Sequence, residues 1–279
     1  MKRRIFSLLL ALCMVFAMLP VTTFAASIVQ SGTCGDNLTW ILDTEGTLTI
    51  SGEGAMYDYN SGSAPWYGYW DQILSVIVEE GVTSIGNYAF NKCSSLVSID
   101  LPDGLTSIGE DAFSRCSGLV SIDLPDSLTF IDEYAFEDCS SLTSIALPDS
   151  LTFIGWRMFA GCSNLASIAF PDDLRSVSTY AFKDCSSLTS IDLPDGLTSI
   201  SGRAFYNCSS LTEITFTGSA PQIGIDAFFG VTATAYYPAG DATWTEEVKQ
   251  NYGGTITWEA YDNGNSGEVA SGTCSTSPQ

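Results

Sequence analysis

The chain has 279 residues, with 32 acidic side chains, 10 basic ones and no histidine, so its formal net charge is −22 at pH 7. This charge repels phosphate backbones and anionic membranes, which argues against a nucleic-acid-binding or polybasic membrane-binding role. The absence of histidine excludes Ser-His-Asp and Cys-His catalysis, HExxH zinc peptidases and most catalytic zinc sites. Enzymes that use carboxylates alone, such as glycoside hydrolases, are not excluded by the absence of histidine. With 45% apolar residues the chain can form a core, which excludes bulk disorder.

The first 25 residues are predicted to be a secretory signal peptide. Three basic residues at positions 2–4 precede a 15-residue apolar run from Ile5 to Leu19, and small residues at Thr23 and Ala25 place the cleavage after Ala25. The run is shorter than the roughly 20 residues of a bilayer span. No second apolar run follows, so we expect no membrane span in the mature chain. Cleavage leaves seven basic residues against 32 acidic ones, a net charge of −25. The predicted location is extracellular, either secreted or associated with the cell surface.

A 23-residue period covers the middle of the chain, over about residues 71–230. It is carried by cysteine at 93, 116, 139, 162, 185 and 208, by leucine at 96, 119, 142, 165, 188 and 211, and by phenylalanine at 90, 113, 136, 159, 182, 205 and 228. One unit is too small to enclose an apolar face, so neighbouring units must stack, with strands about 4.8 Å apart. The sequence therefore predicts a solenoid that is mainly β with short helical turns, with about seven 23-residue units and N- and C-terminal caps.

Residues 93–115 illustrate the local structure that we expect in each unit. The alternation from Ile99 to Leu101 predicts a half-buried strand with its aspartate facing solvent. Pro102 has no backbone donor and ends that strand, and an Asp-Gly pair follows as a turn. The stretch from Leu105 to Ile108 is a second short extended segment. The acidic step into Ala112-Phe113 predicts one turn of helix.

The repeat, read as CSSLxSIxLPDxLTxIGxxAF, resembles the BspA-type leucine-rich repeats of bacterial surface proteins. The flanks resemble the same family: SGTCGDNLTWILDTEGTLTISGEGAMYDY resembles its N-terminal cap, and ATAYYPAGDATWTEEVKQNYGGTITWEAY its closing segment. The resemblance covers about residues 31–262. It implies an extracellular, non-enzymatic binding protein, often an adhesin.

The expected organisation has five parts. These are a signal peptide at 1–25, an N-terminal β cap at 26–70, the leucine-rich-repeat solenoid at 71–230, a C-terminal cap at 231–262 and a flexible tail at 263–279. A Ser-Gly-Thr-Cys string occurs at 31–34 and again at 271–274, so the tail resembles the first residues of another cap.

Eight cysteines remain after cleavage, and six of them recur once per repeat. Stacked cysteines about 4.8 Å apart satisfy the distance limit for a disulfide, but equivalent positions point their Cβ vectors in parallel, whereas a disulfide requires converging ones. Free cysteine is also among the most buried residue types. We therefore expect buried reduced thiols, with disulfides between adjacent repeats as the alternative. Cys34 and Cys274 lie outside this series.

The outward positions of the predicted inner strands are the candidate binding face. They are serine and aspartate in most units, but alanine replaces aspartate in the fourth and fifth, which interrupts an acidic strip. The ten residues are Ser98, Asp100, Ser121, Asp123, Ser144, Ala146, Ser167, Ala169, Ser190 and Asp192. In the same units Trp156 and Arg157 replace polar residues, a composition enriched at binding hot spots. These substitutions mark either a contact patch or neutral drift.

Six aromatic residues lie between Tyr57 and Trp70, including Trp66 and Trp70. Flat rings with polar edges suit sugar stacking, so this segment is an alternative glycan-binding site. The other interpretation is a plug over the exposed end of the first repeat, which a solenoid needs. The aromatic residues of the closing segment have the same two interpretations.

The predicted function is non-enzymatic recognition of a protein on a host or neighbouring cell, through the solenoid surface. An acidic strip favours a partner with basic patches and a salt-sensitive association. The alternative is a carbohydrate-binding module that uses the cap aromatics. A carboxylate glycosidase is disfavoured because the acids recur with the repeat and no separate pair stands out. We expect no cofactor and no metal, since one turn aspartate per repeat does not supply the converging oxygens of a calcium site.

Overall fold

The computed structural model describes residues 26–262, so the predicted signal peptide and the tail with Cys274 lie outside the described residues. The strands in chain order are β1 (Ile28–Thr33), β2 (Leu38–Asp43), β3 (Thr47–Gly52), β4 (Gly54–Ala55), β5 (Ser75–Val78), β6 (Val82–Ile85), β7 (Ser98–Asp100), β8 (Ser107–Ile108), β9 (Phe130–Ile131), β10 (Ser144–Ala146), β11 (Phe153–Ile154), β12 (Ser167–Ala169), β13 (Ser176–Val177), β14 (Ser190–Leu193), β15 (Ser199–Ile200), β16 (Glu213–Phe216), β17 (Gln222–Ile223), β18 (Thr232–Pro238) and β19 (Thr255–Tyr261). The predicted fold class is confirmed: the described chain is a β-solenoid with the 23-residue repeat.

The inner strands form one side of the solenoid. The chain starts as an antiparallel meander, β1-β2-β3, and β3 then pairs in parallel with β5, which pairs with β7. Further along, β10 pairs with β12, and β14, β16, β18 and β19 form a last sheet. Equivalent residues of successive units lie opposite each other, as Ile145 does to Ile168. The register therefore follows the repeat, because a slip of one residue would expose the isoleucines.

A second set of short parallel strands lies on the adjacent side. It consists of β4-β6-β8-β9 and, after a break, β11-β13-β15-β17. Each of these strands from β6 on places a valine or isoleucine inward, such as Ile108 and Ile131, which pair directly and are both 0% exposed. These strands are the second extended segment that the sequence predicts.

The third side, which we call the turn side, contains residues 109–116 and their equivalents in the other units. The expected turn of helix at Ala112-Phe113 is wrong. Two residues per unit instead adopt left-handed backbone, as Asp111 (φ 53°) and Arg115 (φ 63°) do. Every second N–H from Asp111 to Arg115 bonds to a carbonyl of the next unit, as that of Phe113 does to Ala135 at 2.9 Å. Within residues 26–262 the helical structure is confined to the 3-10 turn Tyr67–Tyr69, and no helix there has the length and hydropathy of a bilayer span.

The core is a column of stacked phenylalanine rings behind the turn side. Seven rings, from Phe90 to Phe228, follow one another with centroids 5.1–5.5 Å apart and planes within 12° of parallel. All seven are 0% exposed. Parallel rings in face-to-face contact lie about 3.5–4.0 Å apart, so the larger centroid separation means that the rings are offset, which is the arrangement that their quadrupoles prefer.

The cysteines form a second buried column, and the prediction of free thiols is confirmed for the described residues. Cys34 and the six repeat cysteines are unpaired and buried. From Cys116 onward, each thiol donates a hydrogen bond to the phenylalanine carbonyl of the preceding unit, at 3.1–3.2 Å. The column is therefore part of the hydrogen-bonding between units.

Candidate functional site

The ten predicted residues of the inner strand face are all exposed. We use this name for the side chains of Ser98, Asp100, Ser121, Asp123, Ser144, Ala146, Ser167, Ala169, Ser190 and Asp192. They point outward because they alternate with inward isoleucines, of which Ile145 is 4% exposed. Strand pairing brings Ala146 directly opposite Ala169. The two alanines are thus neighbours in one row, and Asp123 and Asp192 occupy the equivalent positions on either side.

An apolar column borders the inner strand face, and sequence reasoning missed it. Leu74, Val97 and Val120 lie at the corner before each of the first inner strands and are 43–51% exposed. Their backbones are linked, since the N–H of Val97 bonds to the carbonyl of Leu74 and that of Val120 to Val97. The signal was available, because the same repeat position is threonine or alanine in the next four units. Ile77, 40% exposed, adds a side chain opposite Asp100.

Charge is divided between the sides of the solenoid. The inner strand face carries aspartates, and none of them forms an ion pair with a basic residue within the described range 26–262. Five of the seven basic residues of that range instead belong to the turn side. These are Lys92, Arg115, Arg157, Lys183 and Arg203. A partner that approaches the inner strand face therefore meets negative charge that no basic neighbour neutralises.

Trp156 and Arg157 lie on the turn side, away from the two alanines with which they share a pair of units. The Trp156 ring is 40% exposed and packs against Tyr134, with centroids 4.9 Å apart. Arg157 has φ 53°, and its Nη1 donates to Glu137 Oε1 at 2.8 Å. This hydrogen bond raises the pKa of Arg157. The irregular residues of the fourth and fifth units thus point in two directions and do not form one patch.

The aromatic residues of the N-terminal segment support the plug. Trp66 is 0% exposed, its ring stacks on Phe90 at 5.5 Å and 19°, and its Nε1 donates to the Ala89 carbonyl at 2.7 Å. The hypothesis that Trp66 is a glycan-stacking ring is therefore wrong, because both the ring and its polar edge are already used. Trp70 is 38% exposed but has no second exposed tryptophan beside it in the plug.

The described chain has no arrangement suited to metal binding or thiol chemistry. No group of three or more potential metal-ligating side chains occurs between residues 26 and 262. Burial raises the pKa of Cys93 to about 12 and that of Cys116 well above its ordinary value. Such thiols stay protonated at neutral pH, and the thiolate is the form that attacks electrophiles and binds metals. The cysteine column is therefore structural.

Comparison with known proteins agrees with this geometry. The family model of the BspA type leucine rich repeat region matches residues 67–188 and 131–237 in six copies, which is more than half of the chain. The chain belongs to the BspA-type leucine-rich repeat family. Members of this family are typically bacterial surface or secreted proteins, and the repeat is typically non-enzymatic. No curated protein sequence matches the chain.

Two solved structures show the same solenoid fold. The T. pallidum leucine-rich repeat protein TpLRR is 27% identical, with a TM-score of 0.54, and the match covers 71% of this chain and 88% of that one. A leucine-rich repeat protein from Eubacterium ventriosum is 24% identical, with a TM-score of 0.50 and coverage of 76% and 73%. The second likeness, at this identity, concerns the fold alone.

Proposed function

We propose that the chain is an exported, non-enzymatic binding protein that recognises a protein partner on a host or neighbouring cell through the inner strand face. Membership of the BspA-type family supports a binding role at the cell surface. The observation that carries the proposal is the exposed face itself: a row of small polar side chains, an acidic row without ion pairs to basic residues of the described chain, and a bordering apolar column.

The chemistry of the face defines the partner. Unpaired carboxylates such as Asp100 and Asp123 favour a surface with lysine or arginine, and this attraction makes association fast and salt-sensitive. Leu74, Val97 and Val120 supply apolar area of the kind that marks protein interaction sites. A sugar chain would need flat rings or a hollow, and this face presents short side chains in their place.

The domain organisation belongs to the same proposal. Residues 1–25 are removed on export, residues 26–70 close one end of the solenoid at 71–230, and residues 231–262 close the other. Mass spectrometry of the protein recovered from the culture medium tests the first point: an N-terminus at Ala26 is expected, and an intact Met1 would contradict export by this route.

The binding test uses purified chain from residue 26 against immobilised extracellular matrix proteins, with affinity measured by biolayer interferometry at 50 and 300 mM NaCl. We expect at least one ligand whose affinity falls with salt. The informative variant is Ala146→Asp with Ala169→Asp, which fills the apolar gap between Asp123 and Asp192. Apolar side chains of the partner occupy this gap while its basic residues pair with the flanking aspartates. Charges added in the gap are therefore unpaired in a desolvated contact, which costs a few kcal/mol, so affinity should fall tenfold or more.

A matched control adds the same two charges elsewhere. Ser186→Asp with Ser209→Asp changes exposed residues one position beyond the turn side and should leave the affinity unchanged. Equal losses in both double variants would indicate a general effect of net charge and would contradict a site at the inner strand face. Loss in Trp156→Ala, with the alanine variant unaffected, would place the protein-binding site on the turn side.

A further inference from the structure

A groove on the turn side is separate from the face proposed above. Two hollows of about 420 Å³ each share the ring of Tyr180 as a common wall. Trp156 lines one hollow, and Phe229 lines the other. Both volumes lie in the range of small-ligand sites, about 300–1,000 Å³. We call the two hollows together the turn-side groove.

Exposed aromatic rings stand at both ends of this groove. Trp156 is 40% exposed and Phe229 41% exposed, and each packs against an aromatic ring of the preceding unit. Tyr134 packs against Trp156 at 4.9 Å, and Tyr206 stacks on Phe229 at 4.7 Å and 6°. The rings are three repeats apart, which is about 14 Å along the solenoid. Their positions are therefore fixed before any ligand arrives, and they suit a short extended ligand with an apolar face.

Between these rings lies a layered arrangement of arginine and tyrosine. The Arg157 guanidinium lies 5.4 Å from the centroid of the Tyr180 ring, and that of Arg203 lies 5.9 Å away. Arg203 Nη1 also donates to the Tyr180 hydroxyl at 2.7 Å. A guanidinium has five N–H donors. Arg157 uses one of them for Glu137. Arg203 uses two, one for Asp226 and one for Tyr180. Donors therefore remain for a ligand in the middle of the groove.

The charges in the groove balance. Arg157 pairs with Glu137 at 2.8 Å, Lys183 with Asp184 at 3.1 Å, and Arg203 with Asp226 at 3.4 Å. Glu133 adds one more carboxylate beside Trp156. The local charge is thus zero or slightly negative, within a protein of strongly negative net charge, so an anionic ligand gains little here. What the groove offers is a set of oriented hydrogen-bond donors and acceptors between two flat rings.

We propose that the turn-side groove binds a neutral oligosaccharide. The Trp156 ring packs against the apolar face of one sugar ring, and the exposed parts of the stacked Tyr206 and Phe229 rings pack against a second, because aromatic rings bury large apolar area at fixed positions. Between them, the free N–H groups of the arginines donate to sugar hydroxyls, and the oxygens of Asp184 and Asn207 accept from them. A polypeptide partner fits less well, since the exposed apolar rings are three repeats apart with paired charges between them.

The test is a printed array of neutral glucan, xylan, mannan, galactan and chitin oligosaccharides, with sialylated and uronic-acid oligosaccharides beside them. Soluble forms of the positive sugars are then titrated by calorimetry at 50 and 500 mM NaCl. We expect binding of at least one neutral oligosaccharide, with less than a twofold change over this salt range. Phe229→Ala and Trp156→Ala should each reduce its affinity at least tenfold.

The control is Phe130→Ala, because Phe130 is 40% exposed but belongs to the second set of strands. It should bind the sugar like the unmodified chain. Binding of no neutral oligosaccharide, binding of acidic sugars alone with strong salt dependence, or equal losses in all three variants would overturn the proposal. The Ala146→Asp, Ala169→Asp variant should keep its sugar affinity, so the outcome is independent of the protein-binding proposal.

Discussion

The turn side and the inner strand side carry the same repeat, but they differ in how regularly hydrogen bonds join one unit to the next. On the turn side, the N–H of each phenylalanine from Phe90 to Phe228 bonds to a carbonyl of the next unit or of the closing segment, at 2.8–3.0 Å, with no unit omitted. The inner strands form three separate sheets, and residues 121–123 belong to none of them. The corner residues and their equivalents keep a backbone hydrogen bond to the preceding unit from Val97 to Thr234. The interruption is therefore confined to the inner strands themselves, whereas the turn side is regular throughout.

Burial explains this difference. Every unit places phenylalanine and alanine or methionine behind the turn side at 0–1% exposure, from Ala89-Phe90 to Ala227-Phe228. On the inner side the inward residue is isoleucine from Ile99 to Ile214, but Ile99 is 8% exposed and Ile168 is only partly buried. The buried residues behind the turn side must pack in the same way in every unit. Sequence variation can therefore accumulate on the inner strand side, which faces a partner. A binding face on the inner strands is compatible with this division.

The largest expected effect is a loss of stability at high pH caused by the six repeat thiols, which lie behind the turn side. In the unfolded chain cysteine ionises near its ordinary pKa of 9.0, whereas burial raises the pKa of Cys93 to about 12 in the folded chain. The unfolded state therefore loses protons first. Stability is complete below pH 9 and falls as the pH rises above it, by about 1.4 kcal/mol per pH unit for each thiol. Six thiols give up to roughly 8 kcal/mol per pH unit, enough to unfold a domain of ordinary stability within one or two pH units.

Urea denaturation followed by circular dichroism between pH 8 and 10 measures this slope. Cys139→Ser is the matched variant, since the hydroxyl can still donate to the Phe113 carbonyl but does not ionise. It should lower the slope by about 1.4 kcal/mol per pH unit. A stability that stays constant up to pH 10 would show that the thiols are not buried as the structure has them.

The second prediction compares one buried side chain on each side of the solenoid. Phe159→Ala removes a ring that stacks on Phe136 and Phe182 at 5.5 and 5.4 Å, and should cost about 3–5 kcal/mol. Ile168→Ala removes a partly buried side chain from an inner strand, and should cost less, about 0.5–3 kcal/mol. Both are measured by urea denaturation at pH 7. A larger loss for Ile168→Ala would invert the comparison between the two sides.

The sequence predicted the inner strands well. When units must stack, the alternation of apolar and outward-facing residues around Ile99 and Ile145 fits only a strand with one buried face. The turn side was harder. Its left-handed positions are occupied by tyrosine, aspartate, arginine and lysine, which give no glycine signal in most units. The useful hints were Gly161 and Gly230, which take the place of Lys92 and have φ 76° and 79°. The turn-side groove could not be foreseen, because it depends on which side chains meet across three repeats.

The third prediction uses those left-handed positions. Arg115, at φ 63°, tolerates glycine but not a β-branched residue, and its ion pair with Asp138 is lost in either substitution. Arg115→Val should therefore be less stable than Arg115→Gly by about 1–2 kcal/mol. On the inner side Ser121→Val, at an exposed extended position, should change stability by no more than about 0.5 kcal/mol. Equal stabilities of the two Arg115 variants would contradict the left-handed ladder.

The smallest effect at physiological salt is expected for Ala146→Asp with Ala169→Asp on the inner strand face. Both positions are exposed, so no core contact is lost, and the substitution extends the row from Asp123 to Asp192. Three neighbouring pairs of carboxylates then lie about 5 Å apart, and repulsion in water at that distance is a few tenths to about 1 kcal/mol per pair before screening. The melting temperature should fall by a few degrees at 20 mM NaCl and recover at 500 mM, where the Debye length is shorter than the spacing. A loss that salt does not restore would mean that the alanines pack against something inside the solenoid, and the inner side would then be as constrained as the turn side.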